Sequence, residues 1–160
     1  MGNLLKSVNK NYRKLNVNRI SFDSRKIKKG DIFFAIEGRE TSGIKFIDEA
    51  LSKGASAIVS NKKLKQKKTK TPLIIVKNVR KSLSEACSNF YRKKPQHIIA
   101  ITGTNGKSSV ANFFYQMLTL NKIAVASIGT LGISSKNYNK KTKLTSADPL
   151  ELHKNLQALK

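Results

Sequence analysis

Acidic side chains are scarce in this 160-residue chain: 9 Asp and Glu stand against 32 Lys and Arg, a formal net charge of +23. Such a balance raises nucleic acid or another polyanion as a partner. The distribution argues against nucleic acid. The one dense basic run holds Lys62, Lys63, Lys65, Lys67, Lys68 and Lys70, and no aromatic residue interrupts it. Single-strand binding surfaces use such rings for stacking, so the run reads as a solvated loop. Long apolar runs are missing as well. No stretch approaches the ~18 consecutive apolar residues that span a bilayer, and Met1 to Lys14 lacks the apolar core of a signal peptide. Cys87 stands alone, which excludes an internal disulfide and agrees with a reducing compartment. Together these absences point to a cytoplasmic protein with no membrane insertion and no nucleic-acid partner.

What is present is periodic. A domain of this size buries roughly 70% of its unfolded surface, so one or two small cores are within reach. Ile32 to Ile36 is a short apolar run and predicts a buried strand. A helix is expected over 45–53, with Phe46, Ile47, Ala50 and Leu51 as its apolar face and Gly54 as its stop. Ala57–Val59 and Leu73–Val76 read as further strands. Val79, Leu83, Ala86, Cys87 and Phe90 then fall at helical spacing, which makes Cys87 a small core residue. The segment 92–96 breaks the pattern as a linker, so a domain over 1–94 and the start of another over 95–160 are expected.

Beyond the linker, His97–Thr102 reads as a strand that enters a Gly-rich turn. The helix that follows carries Val110, Phe113, Phe114, Met117 and Leu118 as an amphipathic stripe, assigned to a core. Ile123–Ile128 reads as another strand, ending in Gly129-Thr130-Leu131-Gly132. A last helix opens at Asp148-Pro149, with Asp148 as cap, Glu151 completing a capping box, and Leu152, Leu156 and Leu159 as its face. Parallel sheets need cover on both faces. About two strands are fewer than an open α/β domain uses, so this second region is expected to be the truncated start of a parallel-sheet domain. His97 and His153 have no Cys or His partner at metal spacing.

Thr102-Gly103-Thr104-Asn105-Gly106-Lys107-Ser108-Ser109 lies between the expected strand and helix, the context of a phosphate loop. Gly103 and Gly106 allow a tight turn that aims backbone N–H groups at phosphate oxygens, and the helix N-terminus adds positive potential. Lys107 reaches β- and γ-phosphates, and the Ser108 hydroxyl suits Mg²⁺. One position departs from the common pattern: Ile101 stands where such loops usually begin with Gly.

The same eight residues resemble the T-G-T-N-G-K-[ST]-[ST] signature of the Mur ligases, which lack that first Gly. Upstream, Asp23-Ser24-Arg25, Lys29 to Gly38, Gly43, Phe46-Ile47, Ala50 and Gly54-Ala55 are similar to the family's amino-terminal domain. Downstream, Ile128 to Gly132 and Leu144 to Glu151 look closest to the members that act on UDP-N-acetylmuramoyl-L-alanyl-D-glutamate. The resemblance implies a small α/β UDP-binding domain followed by the beginning of a P-loop-type ATP-binding domain. It implies ATP and Mg²⁺, a muramoyl-dipeptide and an amino acid as substrates, and a monomer when full length. The expected reaction is addition of the third amino acid, meso-diaminopimelate or lysine, through an acyl phosphate. The alternatives are a D-alanyl-D-alanine-adding member and a plain P-loop module.

Residue by residue, Gly103, Thr104, Asn105, Gly106, Lys107, Ser108 and Ser109 are implied to hold ATP, with Lys107 catalytic and Ser108 also on Mg²⁺. Phe22, Ser24, Arg39, Glu40 and Thr41 are implied on the uridine diphosphate, and Thr145 and Ser146 on the muramoyl-dipeptide. Ser42 replaces a common Asp, and Ala147 a frequent Pro. The family's acidic Mg²⁺ ligand, carbamoylated Lys and His are expected beyond Lys160, so the 160-residue chain by itself is expected to be inactive.

Overall fold

A computed structural model describes residues 5, 15–38, 41–63, 70–141 and 148–160. The chain divides into two units, Met1–Arg92 and Lys93–Lys160.

The first unit is built on a parallel sheet of β1 (Ile20–Ser21), β2 (Ile32–Phe34), β3 (Ala57–Ser60) and β4 (Leu73–Ile75), paired in that order. Ile32, Phe33 and Phe34 lie opposite Ala57, Ile58 and Val59, and Ile58 lies opposite Leu73. Successive side chains on a strand point to opposite faces. All of β2 and β3 is buried, so both faces of the sheet centre are covered, as parallel pairing requires. One core joins Phe33, Ile58, Ile27 and Ala55 to Ile47 and Ala50 of α1 (Ile47–Ser52). The expected 45–53 helix is therefore shorter. A 3-10 turn over Gly43–Phe46 precedes α1, and Phe46 is exposed rather than part of the apolar face. Gly43 explains the tight turn: its N–H donates to the Ile36 carbonyl at 2.8 Å, and a Cβ there would sit 2.6 Å from that oxygen. Gly54 ends α1 with φ +82°, as expected. In α2 (Val79–Phe90), Val79, Leu83, Ala86 and Cys87 are buried, and Asn78 caps the helix by accepting from Lys81 N–H.

Asp31 opens β2 almost wholly buried, and Arg19 holds it with two donors, Nε at 3.1 Å and Nη2 at 2.6 Å. Lys28 N–H donates a third bond to the same carboxylate at 2.8 Å. A buried carboxylate is costly unless its lone pairs are met in this way. The pair clamps the start of β1 to the start of β2.

The second unit holds α3 (Lys107–Leu120), the antiparallel hairpin β5 (Ala126–Gly129) with β6 (Gly132–Ser135), and α4 (Pro149–Ala158). Three expectations change here. Residues 97–102 form no strand, and Ile98 and Ile99 are 57% and 64% exposed. The apolar run is suited to a ladder, but no described strand lies beside it. The stripe on α3 is not core: Val110, Phe113 and Met117 are more than half exposed, and Phe114 and Leu118 are half-buried. Residues 123–125 stay outside β5, and Gly129 to Gly132 turns into a second strand instead of ending the sheet. Asp148 caps α4 by accepting from Glu151 N–H at 2.9 Å. The Glu151 carboxylate takes Lys140 Nζ at 2.8 Å. Leu156 is buried, while Leu152 and Leu159 are half-buried.

Candidate functional site

The phosphate loop is open to solvent from Thr102 to Val110. Gly106 takes φ +75°, the left-handed conformation that lets the chain turn directly into α3, and a Cβ there would meet nothing within 4 Å. Open space in front of a left-handed glycine leaves room for a ligand's approach. The first i→i−4 bond of α3 runs from Val110 N–H to the Gly106 carbonyl. Lys107, Ser108 and Ser109 N–H thus have no intrahelical acceptor, and Gly106 has no side chain with which to cap them. These donors, at the positive end of a 14-residue helix, suit phosphate oxygens.

Lys107 folds back over the loop, its Nζ donating to the Gly103 carbonyl at 2.6 Å and the Thr104 carbonyl at 3.0 Å. The ammonium is thereby held at the mouth of the loop. The Ser108 hydroxyl lies 3.3 Å from the Thr130 hydroxyl in the β5–β6 turn. A cavity of about 90 Å³ opens beside it, lined by Ser108, Asn112, Tyr115, Ser127 and Thr130 among others. Asn112 and Tyr115 were not singled out by sequence, and Thr130 entered only as part of the Ile128 to Gly132 match, with no role assigned. Asn112 and Tyr115 stand on α3 itself, whereas the hairpin brings Thr130 to the loop.

In the first unit, Phe22 and Ser24 follow β1, and Thr41 follows β2. Because these strands are parallel neighbours, both segments lie beyond the same carboxyl edge of the sheet, where open α/β sheets place ligands. Thr41 is exposed, and its carbonyl accepts from Gly38 N–H at 2.9 Å. Phe22 is half-buried. Ser24 is buried, and its hydroxyl donates to Glu49 Oε2 at 2.6 Å. Lys53 Nζ also donates to Glu49, at 2.7 Å, and the two bonds hold the Glu49 carboxyl below its ordinary pKa, the Lys53 bond most strongly. Arg39, Glu40, Thr145 and Ser146 lie outside the described residues.

The same edge carries groups that sequence reasoning missed. Lys62 Nζ at 2.7 Å and Asn61 Nδ2 at 3.3 Å reach the Glu37 carboxylate, and Arg80 Nη2 donates to the Glu37 carbonyl at 3.3 Å. Lys62 and Asn61 lower the Glu37 pKa. Only the topology brings residues 24 and 43 positions apart to one point.

A four-stranded parallel sheet in one unit and a Gly-Lys-Ser loop opening a helix in the other define a phosphate-loop α/β protein. Residues 16–91 match the family described as Mur ligase family, catalytic domain, and residues 101–160 match the Mur ligase middle domain. The chain belongs to the Mur ligase family. It is 40% identical over 145 residues to the UDP-N-acetylmuramoyl-L-alanyl-D-glutamate--2,6-diaminopimelate ligase of Bradyrhizobium diazoefficiens, covering 91% of this chain and 30% of that protein. The enzyme of the same name from Rickettsia rickettsii is 42% identical over 147 residues, covering 89% and 30%. The chain thus spans about 30% of the length of these curated relatives. A solved structure of a ligase with that name superposes with a TM-score of 0.73 at 27% identity, over 89% of this chain and 29% of the other. MurF ligase from Thermotoga maritima in complex with ADP gives 0.56 at 26% identity, over 88% and 30%. No helix among the described residues is long and apolar enough to cross a membrane.

Proposed function

We propose that the chain forms the precursor-binding and nucleotide-binding portion of a cytoplasmic, ATP-dependent ligase that adds the third amino acid, meso-diaminopimelate, to UDP-N-acetylmuramoyl-L-alanyl-D-glutamate. Residues 1–94 form the UDP-binding domain, with Phe22, Ser24 and Thr41 at its ligand edge, and Arg39 and Glu40 also act on the uridine diphosphate. Residues 95–160 begin the ATP-binding domain, in which Thr145 and Ser146 meet the muramoyl-dipeptide. The observation that carries this reading is the exposed, uncapped start of α3 with Lys107 at the loop mouth. Those donors fit a nucleotide's phosphates.

Bound ATP would supply the phosphoryl group that activates the precursor's terminal carboxylate for attack by an amine, with phosphate as the leaving group. The residues of this chain answer the charge problem that such a transfer between anions poses. Gly103 to Ser109 bind through backbone N–H groups, and Lys107 neutralises phosphate charge. Of this chain's residues, the Ser108 hydroxyl would hold Mg²⁺ beside the phosphate oxygens. The +23 charge attracts polyanionic substrates to both units.

Isothermal titration of the chain with ADP and with the UDP-muramoyl-dipeptide tests the reading. Both should bind, and Lys107→Ala should weaken ADP by about tenfold or more while leaving the dipeptide unchanged, one lost charge-assisted contact being worth ~1.5–3 kcal/mol. Equal ADP affinity in Lys107→Ala overturns the loop assignment. Because the chain also superposes on MurF, a D-alanyl-D-alanine-adding ligase is the second reading. It predicts preference for the UDP-muramoyl-tripeptide over the dipeptide.

A further inference from the structure

The turn that joins β5 to β6 is set by its neighbours. Gly129 pairs with Gly132, which leaves Thr130 and Leu131 as a two-residue loop. Gly132 has φ +115°, and a Cβ on it would lie 2.5 Å from the Lys140 carbonyl oxygen. The turn therefore cannot relax through another residue at that position without displacing backbone. Its two residues are used differently. Leu131 is 83% exposed, whereas the Thr130 hydroxyl reaches back to within 3.3 Å of Ser108 Oγ, the second residue of α3. Both residues line the same cavity.

A serine hydroxyl has one hydrogen and two lone pairs. To give a lone pair to a cation it must turn its hydrogen away, onto an acceptor. A Ser in the first turn of a helix otherwise spends its hydroxyl on nearby backbone groups. Thr130 Oγ1 lies at hydrogen-bond distance, is neutral, and has lone pairs with which to accept. Being uncharged, it adds nothing that competes with the loop for phosphate or cation.

We propose that Thr130 is a positioning residue for the nucleotide–Mg²⁺ site: it accepts the Ser108 hydroxyl proton and so presents the Ser108 lone pairs to the cation. The inference rests on the reading that the loop holds a Mg²⁺-nucleotide. Outer partners of metal ligands commonly govern metal affinity by 10–100-fold through orientation, and an exposed neutral pair belongs at the lower end of that range.

The test is titration of the 160-residue chain with ADP, in Mg²⁺ and in EDTA, for wild type, Thr130→Val and Thr130→Ser. Thr130→Val should lose about tenfold of affinity in Mg²⁺ and change by less than about twofold in EDTA, while Thr130→Ser keeps wild-type behaviour. Undiminished Mg²⁺ enhancement in Thr130→Val overturns the proposal. An equal loss with and without Mg²⁺ also overturns it, because Thr130 would then only support the loop. ADP binding that depends on Lys107 but gains nothing from Mg²⁺ defeats this inference alone, and absence of ADP binding defeats the parent reading as well. If Thr130→Val melts early, a cycle of Thr130→Ala with Ser108→Ala decides: the losses in Mg²⁺ should overlap, and additive losses reject the coupling.

Discussion

The two units treat similar apolar patterns in opposite ways. In the first, Ile32, Phe33 and Phe34 are fully buried beside β3, and Phe33 packs with Ile47 and Ala50 of α1. In the second, a helix with a regular apolar stripe leaves Phe113 69% and Met117 51% exposed. Each pattern forms the secondary structure its spacing predicts, a strand in one unit and a helix in the other. What differs is the partner surface. A pattern states which side of an element prefers to leave water, and burial follows only where another described element meets that side. The exposed loop at the head of α3 benefits from the same openness, since its N–H donors and Lys107 face solvent from a helix that still forms.

The largest expected effect separates the units by one type of substitution. Phe33→Ala should cost about 3–5 kcal/mol, since it removes a fully buried ring, whereas Phe113→Ala should stay within ~0.5 kcal/mol. Urea unfolding of both variants, followed by circular dichroism, checks this. Equal costs would mean that the stripe on α3 is covered in solution. Next in size is Asp31→Asn, expected at about 1–3 kcal/mol, because it weakens the charge-assisted bonds from Arg19 and leaves a buried amide poorly matched to three donors. Arg19→Lys should cost less but still measurably, as an ammonium cannot reproduce the two-donor fork.

Much of this was legible in advance because it is local. The capping of α4 by Asp148, the left-handed stop at Gly54, the burial of Cys87 and the glycine turn that opens α3 are all set by residues within a few positions of one another. Legibility fails where the decisive neighbour is distant. The Arg19–Asp31 clamp spans 12 positions and the Ser24–Glu49 bond 25, and nothing in either segment marks its partner. β1, with two residues, is too short to show alternation. The β5–β6 turn was hidden for another reason: Gly-Thr-Leu-Gly suits a strand end as well as a tight turn, and Gly132 discloses the choice only through φ +115°. The core assignment of Phe113 and Met117 failed because amphipathicity names a face without naming its cover.

Smaller effects come from the helix caps, which should be alike in the two units if local chemistry is indifferent to the openness around it. Asn78→Ala removes the acceptor for Lys81 N–H in α2, and Asp148→Ala removes the acceptor for Glu151 N–H in α4. Each should cost about 1 kcal/mol, read as a shift in urea midpoint at unchanged slope. A cost confined to Asn78→Ala would show that α4 contributes little to the stability being measured.

The smallest effect divides the units by pH. In the first, the Arg25 bond holds the Asp23 carboxyl below its ordinary pKa. A depressed carboxylate stabilises the fold at every pH above the unfolded value, about 4. That contribution is lost as pH falls through the folded value, when the folded carboxyl takes up its proton. In the second, burial and the charge of Lys94 hold His153 below its ordinary pKa, and its Nδ1 is buried without a partner. The unfolded chain then binds a proton that the folded chain refuses, so stability begins to fall near pH ~6.5 and stops falling once the folded imidazole also protonates. Unit 2 should therefore soften at mildly acidic pH where Asp23 is still silent. Hydrogen exchange resolved by segment between pH 7 and pH 5 reads the two separately, after correction for the intrinsic exchange rate. His153→Gln should flatten the response of α4 in that interval and Asp23→Asn should not, and the reverse pattern would place the mild-acid sensitivity in the first unit.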